Sequence, residues 1–286
     1  MNKILMTLVM MGMAGGAYAA DLSDLGVTAS DLKALSEKSG IVPPTITKGY
    51  VAGNDPSAGV PVKPVEWVSI PGGKFTMGTD ADGFVDAKPI HEVAIKTFQM
   101  SKTLVTVEQY AECVSKGKCT EPAKGDYCNW GETGRQNHPV NCVSWAQANQ
   151  YAGFKGGRLA SESEWEYAAT SGGKNQKYPW GNADATSDLA VMDNYGTMPV
   201  CSKPAGDTAQ GLCDMAGNVW QWVQDKYQNS YNGAPADGGA FEAAGSLRVI
   251  RGGSFYNVTA RNLRADFRNQ TGPDSSSDII GFRIAK

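Results

Sequence analysis

The side chains best placed for chemistry lie near the C-terminus. Arg251-Gly252-Gly253-Ser254-Phe255 sets a serine hydroxyl behind two glycines, whose tolerance of positive φ fits a tight turn that fixes Ser254 in space. Tyr256, Asn257, Arg261, Asn262 and Asp266 follow, with Arg264 and Arg268 among them. A polar segment edged by an aromatic ring suits hydrogen-bonded recognition of a peptide, a glycan or a small polar molecule. The competing reading is a solvated face with internal ion pairs. Serine catalysis is not indicated. His91 and His138 stand in strand-like and loop-like surroundings, no motif links either to Ser254, and the chain carries no HExxH, GxSxG, phosphate-loop or dinucleotide pattern.

Sulfur is the other reactive element. Cys113, Cys119, Cys128, Cys142, Cys201 and Cys213 make an even set, which in an oxidising compartment favours disulfides over free thiols. Pairing neighbours in sequence, Cys113 with Cys119, Cys128 with Cys142 and Cys201 with Cys213, would staple three irregular loops, one of the many connectivities that six cysteines allow. A thiolate metal site is the rival, but there is no CxxC spacing and there are only two histidines.

The compartment is read from the N-terminus. A polar start at Asn2-Lys3, an apolar run from Ile4 to Met13 and the small-residue site Ala17-Tyr18-Ala19 describe a secretory signal peptide over residues 1–19. The apolar run is too short to span a bilayer, and no later segment supplies a span. No cysteine follows the cleavage site to carry a lipid. The expectation is a periplasmic or secreted protein without an integral membrane segment. A net charge of −3 and a pI near 5.5 give no footprint for nucleic acid.

The elements that must position the polar segment follow from periodicity and punctuation. Residues 20–64 read as an arm: a short helix capped by Thr28 or Ser30, then Pro43-Pro44, Asn54-Asp55-Pro56 and Pro61 to Pro64. The globular part starts near Val65. Glu66 to Ile70 alternates like a strand, Pro71-Gly72-Gly73 turns, and Lys74 to Gly78 returns, so the pair reads as a hairpin, followed by a strand over His91 to Ile95. Thr106 caps a helix through Glu108, Tyr110 and Cys113; a second runs from Trp145 to Phe154; Ser161-Glu162-Ser163-Glu164 is a capping box that opens a third through Ala169. Beyond Gly172, loops and short strands dominate. With 34 glycines, 14 prolines and seven tryptophans, the chain reads as loop-rich and pinned by aromatics such as Trp165, Trp180, Trp220 and Trp222. Arg158, Arg251 and Arg283 can fork onto carboxylates such as Glu162, Glu166, Asp214 or Asp274 to fix such loops, or can line a pocket for an anion.

Taken together, these signatures resemble a known family. Ile70-Pro71-Gly72-Gly73-Lys74-Phe75-Thr76-Met77-Gly78, Val105-Thr106, His138-Pro139-Val140 before Val143-Ser144-Trp145, and Gly157-Arg158-Leu159 through Glu164-Trp165-Glu166-Tyr167-Ala168-Ala169 come first. Tyr178-Pro179-Trp180-Gly181, Asp214-Met215-Ala216-Gly217-Asn218-Val219-Trp220, Arg251-Gly252-Gly253-Ser254 and Gly281-Phe282-Arg283 follow. In this order they resemble the formylglycine-generating enzymes, or sulfatase-modifying factors, over residues 65–286. The resemblance implies one α+β domain with little regular secondary structure, related to C-type lectin-like folds. It also implies a calcium loop at the Asp214 carboxylate, the Gly217 and Val219 carbonyls and the Gln221 side chain, where the family commonly has Glu in place of Gln.

The family's chemistry is understood to use copper(I) on two thiolates, activating oxygen to convert a sulfatase cysteine to formylglycine. Counting from Ser254, which matches an active-site serine, the first thiol position falls on Asn257 and the second near Arg261 or Asn262. Amide and guanidinium groups are poor ligands for a soft ion, so copper is not expected. The leading expectation is therefore an exported family member that has lost thiol-copper catalysis and binds a peptide, protein or small polar ligand in the C-terminal groove. The alternatives are a divergent periplasmic oxidoreductase, as some relatives in siderophore maturation are taken to be, and genuine sulfatase maturation.

Overall fold

The computed structural model describes residues 62–286. The leader, the arm and its expected short helix lie outside the described residues.

Four short strands open the domain: β1 (Trp67–Ile70), β2 (Gly73–Met77), β3 (His91–Ile95) and β4 (Phe98–Ser101). The expected hairpin between β1 and β2 does not form. Instead β1 pairs with β4 and β2 with β3, both antiparallel. The register passes unbroken from Ile70 opposite Phe98 to Gly73 opposite Ile95, so segments 67–77 and 91–101 make one ribbon, bent where Pro71 has no N–H to donate. At the bend the Gly72 N–H donates to Thr97 Oγ1 at 3.0 Å, and a Cβ on Gly72 would lie 2.5 Å from the Ile95 carbonyl oxygen. The Pro-Gly pair thus bends a strand that a hairpin reading would end.

The three expected helices are present as α1 (Val107–Ser115), α2 (Trp145–Phe154) and α3 (Glu162–Ala169). Each opens with a reciprocal capping box: Thr106 with Gln109, Ser144 with Gln147, and Ser161 with Glu164. Helices this short gain little from propensity alone, so these caps and buried faces hold them. α3 is buried along its whole length, its glutamates included.

The region beyond Gly172 does contain a sheet, in the order β7-β6-β5-β8, formed by β5 (Trp220–Lys226), β6 (Arg248–Arg251), β7 (Arg268–Thr271) and β8 (Ile280–Phe282). β8 lies parallel to β5, and the other pairs are antiparallel. Periodicity missed it because β5 is buried on both faces from Trp220 to Val223 and so does not alternate. Trp165, Trp220 and Trp222 are fully buried, with the indole N–H groups of Trp165 and Trp222 donating to Gln221 Oε1 and the Val143 carbonyl at 2.9 Å. Trp180 is only half-buried and stacks on Tyr178 at 5.0 Å. Mixed strands and helices, with most of the chain in loops, make this an α+β domain.

Candidate functional site

The C-terminal segment is held by backbone hydrogen bonds between loops. Gly217 N–H donates to the Gly252 carbonyl at 2.8 Å and Phe255 N–H to Asn218 at 2.8 Å, while Asp193 and Asn194 donate to Asn257 and Phe255 at 3.0 and 2.9 Å. The glycine pair is required here. Gly252 and Gly253 have φ of 94° and 77°, and added Cβ atoms would lie about 3 Å from Met215 O and Asn262 O.

This turn buries Ser254 completely. Its N–H and its hydroxyl both donate to Asn257 Oδ1, at 2.8 and 3.3 Å. Asn257, at the first thiol position, therefore points inward and closes the turn. An Asn257→Ala variant should lose about 1–2 kcal/mol, because two buried donors lose their acceptor. The loss should appear as a lower urea midpoint at unchanged slope, with Asn257→Asp, which keeps the oxygen, retaining most of the stability. An unchanged midpoint for the alanine variant would mean that the turn closes without this bond.

The remaining candidates engage one another or the adjoining loops. Asn262 Oδ1 accepts from the Thr259 hydroxyl. Asp266 takes both ends of the Arg264 guanidinium, the Nε bond at 2.8 Å. Arg261 donates to the Gly83 carbonyl and lies over the Phe84 ring at 4.6 Å. Tyr256 is 72% exposed; Tyr195, which follows the Asn194 bonded to the Phe255 carbonyl, is 92% exposed, and Val258 is 69% exposed. The structure thus brings Ser254 and Asn257 together, spends Arg261, Asn262 and Asp266 on packing, and leaves a tyrosine-rich rim.

Each of the six cysteines is oxidised: the bridges are Cys113–Cys119, Cys128–Cys142 and Cys201–Cys213. No sulfur is left as a thiolate for a soft metal. The two side-chain groups named for calcium are also engaged. Gln221 Oε1 accepts from Trp165 Nε1 at 2.9 Å and from Arg283 Nε at 2.7 Å. The Gln221 amide donates to the Asp214 carbonyl at 2.9 Å, and the Asp214 carboxylate accepts from the Cys201 N–H at 2.8 Å. A guanidinium bonded to one intended ligand repels a dication, so in this arrangement the donor set does not fit calcium.

The arginines divide differently from the sequence reading. Among the described residues Arg283 pairs with no carboxylate. Besides Gln221 it donates to the carbonyls of Ser101, Lys102 and Cys213 at 3.1, 3.2 and 2.5 Å, and burial pushes its pKa down to about 10. Arg158 forks onto Glu164 at 2.6 and 2.7 Å. Arg251 and Arg268 face each other across β6 and β7, where like charges would repel, and α3 supplies the compensation. Arg268 forks onto Glu162 at 2.7 and 2.9 Å, and Arg251 binds Glu166, all fully buried or nearly so. Burial pushes the Glu162 carboxyl up, but Arg268 and Arg251 hold it below its ordinary value. For Glu166 burial wins over Arg251 and lifts the pKa to about 7; Asp225, buried and beside the Glu162 charge, also rises to about 7.

One feature of this region escaped the sequence reading. Asp126, Tyr127, Glu132, Arg135 and Thr197 line a cavity of about 290 Å³. The Gly125-Asp126-Tyr127-Cys128 run was its only local signal, since Thr197 comes from a distant loop.

Comparison with known proteins agrees with this architecture. Residues 56–286 match the sulfatase-modifying factor enzyme 1-like domain. The chain is 30% identical to the bovine inactive C-alpha-formylglycine-generating enzyme 2, with 77% of this chain and 88% of that protein aligned. It is likewise 30% identical to the formylglycine-generating enzyme of Streptomyces coelicolor, over 76% and 88% of the two chains. Among solved structures, PvdO from Pseudomonas aeruginosa superposes with a TM-score of 0.65 at 30% identity, covering 77% of this chain and 93% of PvdO. The scaffold, the ordered motifs and the matched relatives lead to one conclusion: this chain belongs to the formylglycine-generating-enzyme-like, or sulfatase-modifying factor, family.

Proposed function

We propose that this protein is an exported, periplasmic or secreted, member of the family that has no copper-thiolate oxidase activity and binds a polypeptide partner at the face carrying Tyr195, Tyr256 and Val258. The observation that carries the proposal is the fate of sulfur. All six cysteines are bridged, and the first thiol position holds an asparagine turned inward onto Ser254. Identity alone does not decide between the bovine relative, whose name records it as inactive, and the Streptomyces enzyme, since both stand at 30%. Ligand chemistry supports the inactive reading. Three bridges also support export to an oxidising compartment. No helix among the described residues is long and apolar enough to cross a membrane.

The rim supports partner binding because exposed tyrosines offer large rigid contact area at little entropic cost. The test is copper(I) titration of the non-reduced protein together with an assay on a sulfatase-type cysteine peptide. The expected results are no stoichiometric copper binding and no formylglycine. Copper binding with product formation would overturn the proposal, and oxygen-dependent turnover without copper would favour divergent oxidative chemistry instead. Partner capture from the extracytoplasmic fraction should fall when Tyr195 and Tyr256 are both changed to Ser, with the thermal midpoint unchanged. We further propose that the Asp214–Gln221 turn is structural and metal-free. Millimolar calcium against chelator should then leave the midpoint unmoved, and a rise of several degrees would refute this.

A further inference from the structure

We propose that the cavity between residues 125–135 and residues 196–197 binds a free α-amino acid, held by both its charged ends. Two carboxylates, on Asp126 and Glu132, and one guanidinium, on Arg135, line the same space of about 290 Å³. Opposite charges on mobile side chains usually close onto one another. Here none of the three has an ion-pair partner among the described residues.

The walls explain why they stay apart. Arg135 is tethered through Nη1, which donates to the Thr197 carbonyl at 3.3 Å and lies 3.1 Å from His138 Nδ1. His138 is itself buried and bonded to Thr197 Oγ1 at 2.9 Å, and burial with the nearby Arg135 charge lowers its pKa to about 4, so it adds no second cation. On the opposite wall, Tyr127 has a φ of 62° and its carbonyl accepts from Asn141 at 2.8 Å, while Cys128 is bridged to Cys142. On the N-terminal side the Ala123 N–H donates to the Cys142 carbonyl at 3.0 Å, so the loop that carries Asp126 is anchored on both sides.

Charges of both signs lining one cavity complement a zwitterion. The Nε and Nη2 groups of Arg135 donate to the ligand carboxylate as a fork. Asp126 and Glu132 receive the ammonium, and the Tyr127 ring, 59% exposed, offers a face for the side chain. A simple anion meets two carboxylates, a simple cation leaves Arg135 unpaired, and a neutral sugar neutralises none of the three. The cavity sits at the small end of the range for ligand pockets, which favours a single amino acid over a peptide. None of these polar side chains hydrogen-bonds to the Ser254–Asn257 turn, and although Gly196 and Thr197 follow Tyr195 in the chain, the charged groups tested here are not those of the partner-binding proposal.

The test is calorimetric titration of the full-length, non-reduced protein with the twenty common α-amino acids. The best ligand is then compared with its N-acetyl and carboxamide derivatives and with maltose. Expected are saturable binding of at least one free amino acid and a loss of at least tenfold when either end is masked. Glu132→Gln combined with Asp126→Asn should weaken binding at least tenfold without moving the thermal midpoint, because neither side chain has an ion-pair partner to lose. Arg135→Lys, which keeps the charge and removes the fork, should weaken it as well. The proposal is overturned if no free amino acid binds, if the masked derivatives bind equally well, or if maltose binds in their place.

Discussion

Arg251→Ala is expected to destabilise the domain by about 3–5 kcal/mol, the cost of leaving a buried carboxylate without its counter-charge. Glu166 is fully enclosed, accepts the Gly78 N–H at 2.8 Å and has Arg251 as its ion-pair partner. Arg251 also approaches Glu162 at 3.6 Å and donates to the Phe267 carbonyl at 2.7 Å, so its loss affects α3, β6 and the start of β7 together. With total stabilities of about 5–15 kcal/mol usual for such domains, most of the margin is at stake. Pairing Arg251→Met with Glu166→Gln should recover part of the loss, because removing both partners is less costly than stranding one. Additive losses in that double-mutant cycle would show that the pair is not coupled.

The same cluster sets a pH dependence. Three buried carboxyls, Glu162, Glu166 and Asp225, face two guanidinium groups, Arg251 and Arg268, so one negative charge is in excess. Glu166 and Asp225 have folded pKa values raised to about 7, so the native state binds protons that the unfolded chain has already released. Their contribution is fully present below the unfolded carboxylate range and fades as pH rises through about 7. His138, lowered to about 4, acts in the opposite sense, but only below its unfolded value near 6.5. Between pH 6.5 and 8 the carboxyls act unopposed by His138, and stability should fall by about 1 kcal/mol. Urea midpoints across that interval give the sign directly, and a rise would contradict it.

Reduction of the three disulfides is expected to abolish cooperative folding at body temperature. Bridges closing loops with sequence separations of 6, 14 and 12 each restrict the unfolded chain by about 2–3 kcal/mol, together on the order of 6–9 kcal/mol. That sum rivals the whole stability of a typical domain. The bridged stretches contain almost no sheet or long helix, so the cross-links stand in for missing ladders. Thermal melts with and without reductant read the effect, and thiol titration of the non-reduced, denatured protein should find no free sulfhydryl. A reduced protein that still melts cooperatively within about 5 °C of the oxidised one would show that these loops hold themselves.

The difference in what could be read along the chain has a physical basis. α1 and α3 were visible because Thr106 and Ser161 cap their own next turn, an interaction complete within four residues. Neighbour pairing of the cysteines is legible because short loops bring such partners close. The β1–β2 hairpin failed because Pro71-Gly72 serves equally for a reversal and for a bend, and β4 decided between them from 28 residues farther along, where Phe98 lies opposite Ile70. Similarly, Gln221 looked like a ligand in its own segment, and the Arg283 guanidinium that claims its oxygen comes from 62 residues away.

The sequence by itself determined the family, the capped helices and the want of cysteine after Cys213, because each is carried by residue identity or by contacts within a turn or two. Only the tertiary structure decided that Asn257 faces inward, that Arg283 takes carbonyls and an amide in place of a carboxylate, and that Thr197 closes one cavity with Asp126, Glu132 and Arg135. Those outcomes depend on which distant groups arrive within 3 Å of one another, and burial makes each such meeting worth kilocalories, so the packed chain alone could settle them.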